Sequence, residues 1–253
     1  MSSDPIQAAA AIIAAKKNML IFTGAGVSVE SGIPPFRGAG GLWQKVNPDF
    51  FEIDYFMSHP VASWDRIRSI FYELWGQYAP NPAHFAFAEL EKLGIAFSLV
   101  TQNIDTLHQA AGSKNVIEFH GTLGRLRCTA CSFSGPPTRD LLAGNPPSCP
   151  KCGALLKPDI VFFGESIPAH AMDQSFADAE SCSVCLVSGT TGEVMPACMV
   201  PHTAKRHGAT IIEVNPEESE FTGQITDFFI RGKAGEVMPL LLEEIKKRLA
   251  ESE

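Results

Sequence analysis

The sequence SLVTQNIDTLHQAAGSKNVIEFHG, residues 98–121, decides the fold because it contains two strands that each end on polar residues. An apolar run at residues 96–100 predicts a buried strand, and residues 116–119 predict a second. In open α/β sheets, ligands bind at the carboxyl ends of the strands. We therefore expect the polar groups that follow these two strands to meet at one reaction centre. These groups belong to Gln102, Asn103, Asp105 and His120.

The rest of the chain alternates strands with helices. Further strands are predicted at residues 19–22, 159–163, 184–187, 210–214 and 228–230. Helices are predicted at residues 4–17, 59–78, 82–93, 168–180, 196–207 and 235–249, with Phe85, Ala88 and Leu93 on the apolar side of the helix at 82–93. This alternation favours an α/β fold with a parallel, doubly wound sheet.

Composition and charge exclude several classes of protein. With 253 residues, 45% of them apolar and 19% charged, the chain is long enough for a full core. A net charge of −8 argues against a nucleic-acid partner and is compatible with cationic, lysine-bearing substrates. We find no secretory signal and no run near the roughly 18 apolar residues of a membrane span. We expect no membrane partner and a cytoplasmic, reducing location, and a monomer is plausible.

Two CxxC pairs predict a structural zinc site. Cys128 and Cys131 are separated from Cys149 and Cys152 by the 17 residues 132–148, a separation typical of zinc ribbons. Four thiolates complete the tetrahedral shell of one zinc ion, so the metal is expected to stabilise and not to catalyse. A pair of redox sites is the alternative, but neither pair begins a helix after a strand.

The remaining cysteines have a simpler interpretation. Cys182 and Cys185 form a third CxxC pair that overlaps the strand predicted at 184–187. Free cysteine is a common buried apolar residue. We therefore expect these two side chains, and that of Cys198, to pack in the core.

Two further features suggest chemistry without establishing it. The sequence Gly24-Ala25-Gly26-Val27-Ser28 follows a strand and could hold a phosphate, but a tight structural turn explains it equally well because the third glycine of the dinucleotide motif is absent. His120 could act as a general base near neutral pH, or it could be an ordinary core or surface histidine.

Several motifs in a fixed order resemble the sirtuin family of NAD-dependent protein deacylases, from about residue 8 to 250. Besides the two CxxC pairs, they are GAGVSVESGIPPFRG (24–38), TQNIDTLHQAAG (101–112), FHG (119–121), VFFGE (161–165), GTTGEV (189–194), VNPE (214–217) and GKAGEV (232–237). The resemblance implies a Rossmann-type large domain and a small domain. The large domain would comprise residues 1–38, 82–121 and 158–253, and the small domain a helical module, 39–81, and a zinc-binding module, 122–157.

The resemblance also assigns roles to individual residues. His120 would be the general base, and Asn103 and Asp105 would orient the nicotinamide and its ribose. Val161, Phe163 and Gly164 would present strand backbone to the peptide, by strand addition, and apolar walls to the acyl-lysine. The residues assigned to NAD are Gly24, Ala25, Gly26, Ser28, Phe36, Arg37, Gln102, Asn103, Asp105, Gly189, Thr190, Asn215, Lys233 and Ala234.

The implied reaction uses NAD as a co-substrate. The acyl oxygen attacks the ribose carbon that carries nicotinamide, and His120 takes a proton from a ribose hydroxyl. The products are deacylated lysine, nicotinamide and 2′-O-acyl-ADP-ribose. Alignment in a dry pocket supplies much of the rate.

The sequence also predicts which acyl groups are preferred. Family members that prefer succinyl- or malonyl-lysine carry a tyrosine with an arginine three residues later. Here no tyrosine has that partner: Tyr55, Tyr72 and Tyr78 are followed at that spacing by Ser58, Trp75 and Asn81. We expect acetyl or longer neutral acyl groups instead, beside an apolar wall near Ile67, Ile70 and Phe71.

Two other functions compete with deacylation. The same pocket could serve ADP-ribosyl transfer or NAD hydrolysis, but neither would need the peptide-binding motif at 161–165. A zinc-ribbon binding module or an NAD sensor would need no general base.

Overall fold

The computed structural model describes residues 4–37, 40–44, 46–73 and 76–251. We number strands and helices in chain order. The strands are β1 (Met19–Thr23), β2 (Ala96–Thr101), β3 (Val116–Glu118), β4 (Gly121–Cys128), β5 (Ser134–Gly135), β6 (Leu156–Ile160), β7 (Val184–Ser188), β8 (Thr210–Asn215) and β9 (Phe228–Arg231).

A six-stranded parallel sheet in the order β3-β2-β1-β7-β8-β9 confirms the predicted doubly wound fold. Thr23 at the end of β1 lies level with Thr101 of β2 and Ser188 of β7. The direction in which strands are added reverses between β1 and β7. A crevice is expected outside the carboxyl ends of the strands at such a switch point.

Helices cover both faces of this sheet, and three further helices belong to the small domain. In chain order, the helices are α1 (Pro5–Lys16), α2 (Ile53–Ser58), α3 (Pro60–Ile67), α4 (Pro82–Lys92), α5 (Leu107–Ala110), α6 (Arg139–Ala143), α7 (Ala169–Ser181), α8 (Met199–Arg206) and α9 (Ala234–Ala250). Helices α2, α3 and α6 pack in the small domain. Residues of α1, α4 and α9 form one core with the sheet, and residues of α7 and α8 form another on the other face. Because both faces are covered, β1 and β7 are buried along their whole length and read as continuous apolar runs.

The apolar side predicted for α4 was wrong. Phe85 and Leu93 are 54% and 40% exposed, whereas Ala83, Phe87 and Leu90 are fully buried. The face of α4 that packs against α9 carries Ala83, Phe87 and Leu90, and Phe85 lies on the exposed side of the helix. Size and hydrophobicity alone did not identify the side on which α9 would pack.

A second, three-stranded antiparallel sheet, β5-β4-β6, lies in the small domain. Its residues share one core with the helical module, since Leu126 and Leu156 pack with Phe56, Trp64 and Ile67. Single-turn 3-10 helices at Leu42–Gln44 and Pro48–Phe51 and a π-helical turn at Arg68–Tyr72 complete that module. Its strand β4 begins one residue before the segment 122–157, which was predicted as the zinc-binding module, and its strand β6 ends three residues after that segment. The boundary expected between residues 38 and 39 lies outside the described residues.

The strand predicted at 159–163 is displaced in the structure. The strand is β6, which ends at Ile160 because it pairs with β4, and residues 161–165 form a separate connecting segment. Phe163 forms an isolated parallel bridge to Glu52 outside the named strands. Among the described residues, no helix is long and apolar enough to cross a membrane.

Candidate active site

A cavity of about 1250 Å³ lies between the carboxyl edge of the parallel sheet and the small domain. Most of the predicted site residues line it, although they come from distant parts of the sequence. These are Gly24, Ala25, Gly26, Phe36, Arg37, Gln102, Asn103, His120, Val161, Phe163, Gly164, Gly189, Thr190, Asn215, Lys233 and Ala234.

The strand ends deliver a basic nitrogen to this cavity. His120 lies two residues beyond β3, and its Nδ1 is 3.2 Å from the carbonyl oxygen of Gln102. If Nδ1 carries the proton and donates to that carbonyl, Nε2 is the nitrogen that accepts protons. Burial lowers the pKa of His120, with a smaller lowering from the positive charge of Arg37. The neutral form, which can act as a base, is therefore favoured.

Ser28 and Asp105 lie behind the cavity wall and do not line it. Asn103 Nδ2 donates to Ser28 Oγ at 3.2 Å, and Ser28 Oγ donates to Asp105 Oδ2 at 2.7 Å. Asp105 Oδ1 also accepts the backbone N–H of Leu107. Burial raises the pKa of Asp105, against the lowering effect of these hydrogen bonds. Ser28 and Asp105 together thus fix the orientation of the Asn103 side chain.

Asn103 offers the cavity an acceptor. Its side chain is buried, and its Oδ1 has no hydrogen-bond partner within the described residues. An unpaired buried carbonyl oxygen is costly, and a ligand that donates a hydrogen bond would remove that cost. A ribose hydroxyl or a carboxamide N–H is such a donor.

Two buried histidines extend this polar network, and sequence analysis missed both. His108 Nε2 lies 3.0 Å from Thr23 Oγ1, and the His84 and His108 rings are 4.9 Å apart. Burial lowers the pKa of His84 to about 4 and that of His108 well below its usual value. His84 Nδ1 accepts the N–H of Asn81 in the capping box of α4. The Asn-Pro start of α4, three residues before His84, was the available signal.

The glycine turn after β1 approaches the tip of β7 closely. A Cβ at Gly24 or Gly26 would lie 2.7 or 2.8 Å from the Gly189 carbonyl oxygen. A short 3-10 helix, Ala25–Ser31, follows Gly24 directly. Backbone therefore forms this part of the cavity wall, which suits a phosphate group that must approach the main chain.

An ion pair between the buried Lys157 and the half-buried Glu165 shapes the segment that carries Val161, Phe163 and Gly164. Lys157 Nζ lies 2.7 Å from Glu165 Oε2 and donates to the Ile160 carbonyl oxygen at 2.6 Å. Glu165 Oε2 in turn accepts the N–H of Phe162. Desolvation lowers the pKa of Lys157, an effect that Glu165 opposes.

Apolar side chains also line the cavity, and most of them were not predicted. Phe71 lines the cavity as expected, whereas Ile67 is buried in the small-domain core and Ile70 does not line the cavity. Phe51, Ile104, Phe162, Ile167, Met172 and Met195 were missed. They come from separate segments, so no local sequence pattern groups them.

The four predicted metal ligands come together. The Sγ atoms of Cys128, Cys131, Cys149 and Cys152 all lie within 4.8 Å of one another. Cys128 and Cys152 are 3.5 Å apart, and Cys131 and Cys149 are 3.7 Å apart. Zn–S bonds of about 2.3 Å in a tetrahedron place sulfurs about 3.8 Å apart, so the cluster fits zinc.

The other cysteines pack in the core as predicted. Cys182, Cys185 and Cys198 are buried around α7, β7 and α8. Burial raises the pKa of the Cys182 thiol to about 11 and raises those of Cys185 and Cys198. They are therefore held as neutral thiols.

Comparisons with known proteins agree with this site. A model of the Sir2 family matches residues 24–196. The NAD-dependent protein deacylase of Pyrococcus furiosus is 47% identical over 247 residues, which cover 93% of this chain and 96% of that protein. A solved Sir2 homologue–NAD complex is 42% identical, with a TM-score of 0.87, over 96% of this chain and 94% of that one. A Sir2 protein bound to a myristoylated histone peptide is 38% identical, with a TM-score of 0.79, over 98% and 99% of the two chains.

Proposed function

The chain belongs to the Sir2 family, and we propose that it is an NAD-dependent protein-lysine deacylase. The observation that carries the proposal is the cavity in which His120 and Asn103 meet the backbone that follows β1 and β7 and apolar side chains from both domains. A base, a phosphate-compatible turn and an apolar channel are what acyl transfer from lysine to a nucleotide ribose needs.

NAD would lie along the carboxyl edge of the parallel sheet. When bound, it supplies the ribose that accepts the acyl group and the nicotinamide that leaves. Gly24 and Gly26 let the main chain approach the phosphates, and Thr190 and Asn215 line the far end of the cavity. The unpaired Oδ1 of Asn103 is available to the nicotinamide ribose or carboxamide.

His120 would accept a proton from a ribose hydroxyl at its Nε2. The Gln102 carbonyl oxygen holds Nδ1, so the ring is oriented and its tautomer fixed. Asp105 acts indirectly, because it holds Ser28, which holds Asn103. Phe51, Phe162 and the other aromatic side chains exclude water from the base.

The acyl group would be neutral. Phe71 presents an apolar ring to the cavity, whereas the Tyr72 hydroxyl donates to the Leu123 carbonyl oxygen at 3.2 Å. Burial raises the pKa of Tyr72, so its hydroxyl stays protonated. Three residues after Tyr72 comes Trp75, which lies outside the described residues. The sequence contains no tyrosine with an arginine three residues later that could bind a succinyl carboxylate.

One zinc ion would be held by the four cysteine thiolates. The cluster lies in the small domain beside β4, and none of its cysteines lines the cavity. The metal would stabilise the wall that faces the parallel sheet and take no part in acyl transfer.

The function is tested by incubating the protein with NAD and lysine peptides that carry acetyl, myristoyl or succinyl groups. Mass spectrometry should detect nicotinamide and acyl-ADP-ribose in equal amounts with the neutral acyl peptides, and much less with succinyl. Nicotinamide without acyl-ADP-ribose would indicate NAD hydrolysis or ADP-ribosyl transfer, and would refute the proposal.

A further inference from the structure

Glu213 is a fully buried carboxylate that the proposed reaction does not use. It lies on β8, and four side chains donate hydrogen bonds to it. Oε1 accepts from Ser219 Oγ at 2.5 Å and from Asn215 Nδ2 at 2.9 Å. Oε2 accepts from Thr226 Oγ1 at 2.6 Å and from Thr222 Oγ1 at 2.8 Å. A buried carboxylate is costly unless its oxygens are satisfied in this way.

All four donors come from the end of β8 and the loop that follows it, residues 215–226. Two of the hydroxyls also accept backbone N–H groups of the same loop: Thr222 Oγ1 from Ser219, and Ser219 Oγ from Phe221. These hydroxyl protons therefore point at Glu213, so the carboxylate fixes the loop backbone as well as the side chains. Residues 215–219 of this loop line the cavity.

Asn215 also links the Glu213 carboxylate to the loop that follows β7. Asn215 Nδ2 donates both to Glu213 and to the Thr190 carbonyl oxygen, the latter at 3.1 Å. The N–H of Glu220 donates to the Thr191 carbonyl oxygen at 2.9 Å. Thr190 Oγ1 in turn accepts a hydrogen bond from Gln102 Nε2. The loops that follow β7 and β8 are thus joined at one end of the cavity, with Glu213 beneath them.

We propose that Glu213 is a positioning residue for NAD: it holds these two loops at the separation that the end of the dinucleotide away from His120 requires. The inference rests on the proposed function. Glu213 does not line the cavity, so it would act only through Asn215, Ser219 and the loop backbone. Because the acyl-lysine end of the cavity is built from other segments, the effect should be confined to the nucleotide.

Glu213→Gln tests the proposal with little change in size. The amide nitrogen accepts no hydrogen bond, so the two donors that face it lose their acceptor, and the negative charge that holds all four donors is removed. The Kd of NAD, measured by calorimetry, should rise about tenfold, equivalent to 1.4 kcal/mol and less than one hydrogen bond to a charged group can contribute. At saturating NAD, kcat and the KM for the acetyl-lysine peptide should each stay within about twofold of the parent values. The substitution is expected to weaken only the binding of NAD in the ground state.

Two further variants separate positioning from loss of stability. Ile212→Val removes a buried methylene group next to Glu213 on the same strand, on the opposite face of the sheet, and should lower the melting temperature without changing the Kd of NAD. Thr226→Val removes the hydrogen bond from the Thr226 hydroxyl to Glu213, at a residue that does not line the cavity. It should raise the Kd of NAD about threefold. It decides the question if Glu213→Gln does not fold.

The outcomes are distinct. If the parent protein does not bind NAD, the proposed function fails. If the parent binds NAD and both Glu213→Gln and Thr226→Val bind it equally well, the positioning role is wrong and the proposed function stands. Weaker binding by Ile212→Val to the same degree would also overturn the positioning role, since stability alone would then explain the loss.

Discussion

As the proposed base, His120 must be neutral to accept a proton, and its pKa should set the pH at which activity begins to fall. Burial lowers that pKa below the usual 6.5. The neutral form therefore prevails at pH 7 and is lost only as the pH falls through the lowered value. We predict that kcat/KM for an acetyl-lysine peptide has an acid limb with its midpoint below 6.5. A midpoint above 6.5 would contradict this assignment of the base.

Replacing His120 separates chemistry from binding. In His120→Ala the base is removed, so deacylation should fall by about 10² to 10⁴, the range for one general base. The Kd of NAD should change little, because other residues, including Gly24, Gly26 and Asn103, line the proposed nucleotide site. Single-turnover assays and calorimetry measure the two quantities. A variant that loses NAD binding as strongly as turnover would make His120 a binding residue.

The sequence predicted the polar residues of the site better than the apolar ones. Gln102, Asn103 and His120 face one cavity because parallel strands of matching register end at one edge. Asp105 departs from that pattern because the chain has already left β2 and turns at Thr106, whose φ is 66°. The aromatic wall could not be predicted, since Phe51, Phe71 and Phe162 meet only after the small domain has packed.

The helix α4 and the short helix α5 bury an imidazole pair that should make stability depend on pH. In the unfolded chain both imidazoles titrate near 6.5, whereas in the fold the pKa of His84 is about 4 and that of His108 is well below 6.5. The unfolded state therefore binds more protons as the pH falls below 6.5. We predict that the free energy of unfolding decreases from pH 6.5 towards pH 4, by up to about 1.4 kcal/mol per pH unit for each imidazole. Asp105, whose pKa burial raises, opposes this trend.

Urea unfolding at pH 7.0 and pH 5.5 measures this slope. His108→Gln keeps a polar group for Thr23 but removes one titrating imidazole, so its stability should vary less with pH than that of the parent. His170→Gln changes an exposed histidine and should leave the slope unchanged. Equal slopes in the parent and His108→Gln would show that the buried imidazole does not govern acid sensitivity.

The zinc-binding module should depend on its metal while the parallel sheet does not. The small sheet β5-β4-β6 offers few strands of its own, and Cys128 and Cys149 lie in the core of the small domain. We predict one zinc per chain, and after chelation a loss of amide-exchange protection in residues 122–157 with protection retained in β1 and β7. Deacylation should fall because the cavity wall is lost.

Matched cysteine variants control for loss of packing. Cys149→Ala and Cys185→Ala remove the same atoms from buried positions, one inside the cluster and one in the main sheet. Only Cys149→Ala should release zinc, as measured with a colorimetric chelator. Zinc loss from Cys185→Ala would mean that metal binding depends on general stability and not on the cluster.

Elements were predicted well where one local signal sufficed. The Asp-Pro start of α1 and the buried strands β1, β2 and β7 were predicted nearly to their observed bounds. The inner face of α4 and the end of β6 were not, because each depends on a partner that is remote in sequence. The partner of α4 is α9, and that of β6 is β4.

The two domains meet at the backbone next to His120. The Val161 N–H donates to the His120 carbonyl oxygen at 2.9 Å, and Gly121 opposite Ile160 begins the small sheet. The proposed base and the proposed peptide-binding segment are thus joined by one hydrogen bond. The geometry of the whole cavity therefore depends on how closely β4 and β6 approach each other there.

Gly121 permits that approach, and replacing it tests how the domains are coupled. Its φ is +74°, and a Cβ there would overlap the Asp159 carbonyl oxygen, so Gly121→Ala must push β6 away from His120. We predict a loss of about 3 kcal/mol or more in stability from strain and overlap together. In the fraction that folds, kcat/KM for the acyl peptide should fall more than NAD affinity, because the atoms that must move belong to Asp159 and Ile160, which lead directly into the segment 161–164.

Gly94→Ala is the control: its φ is +69° but its Cβ meets no atom within 4 Å. It should cost about 1 kcal/mol from the backbone alone and leave both constants unchanged. If the two variants differed only in stability, and not in peptide turnover, the junction at Gly121 would hold the domains together without setting the geometry of the reaction.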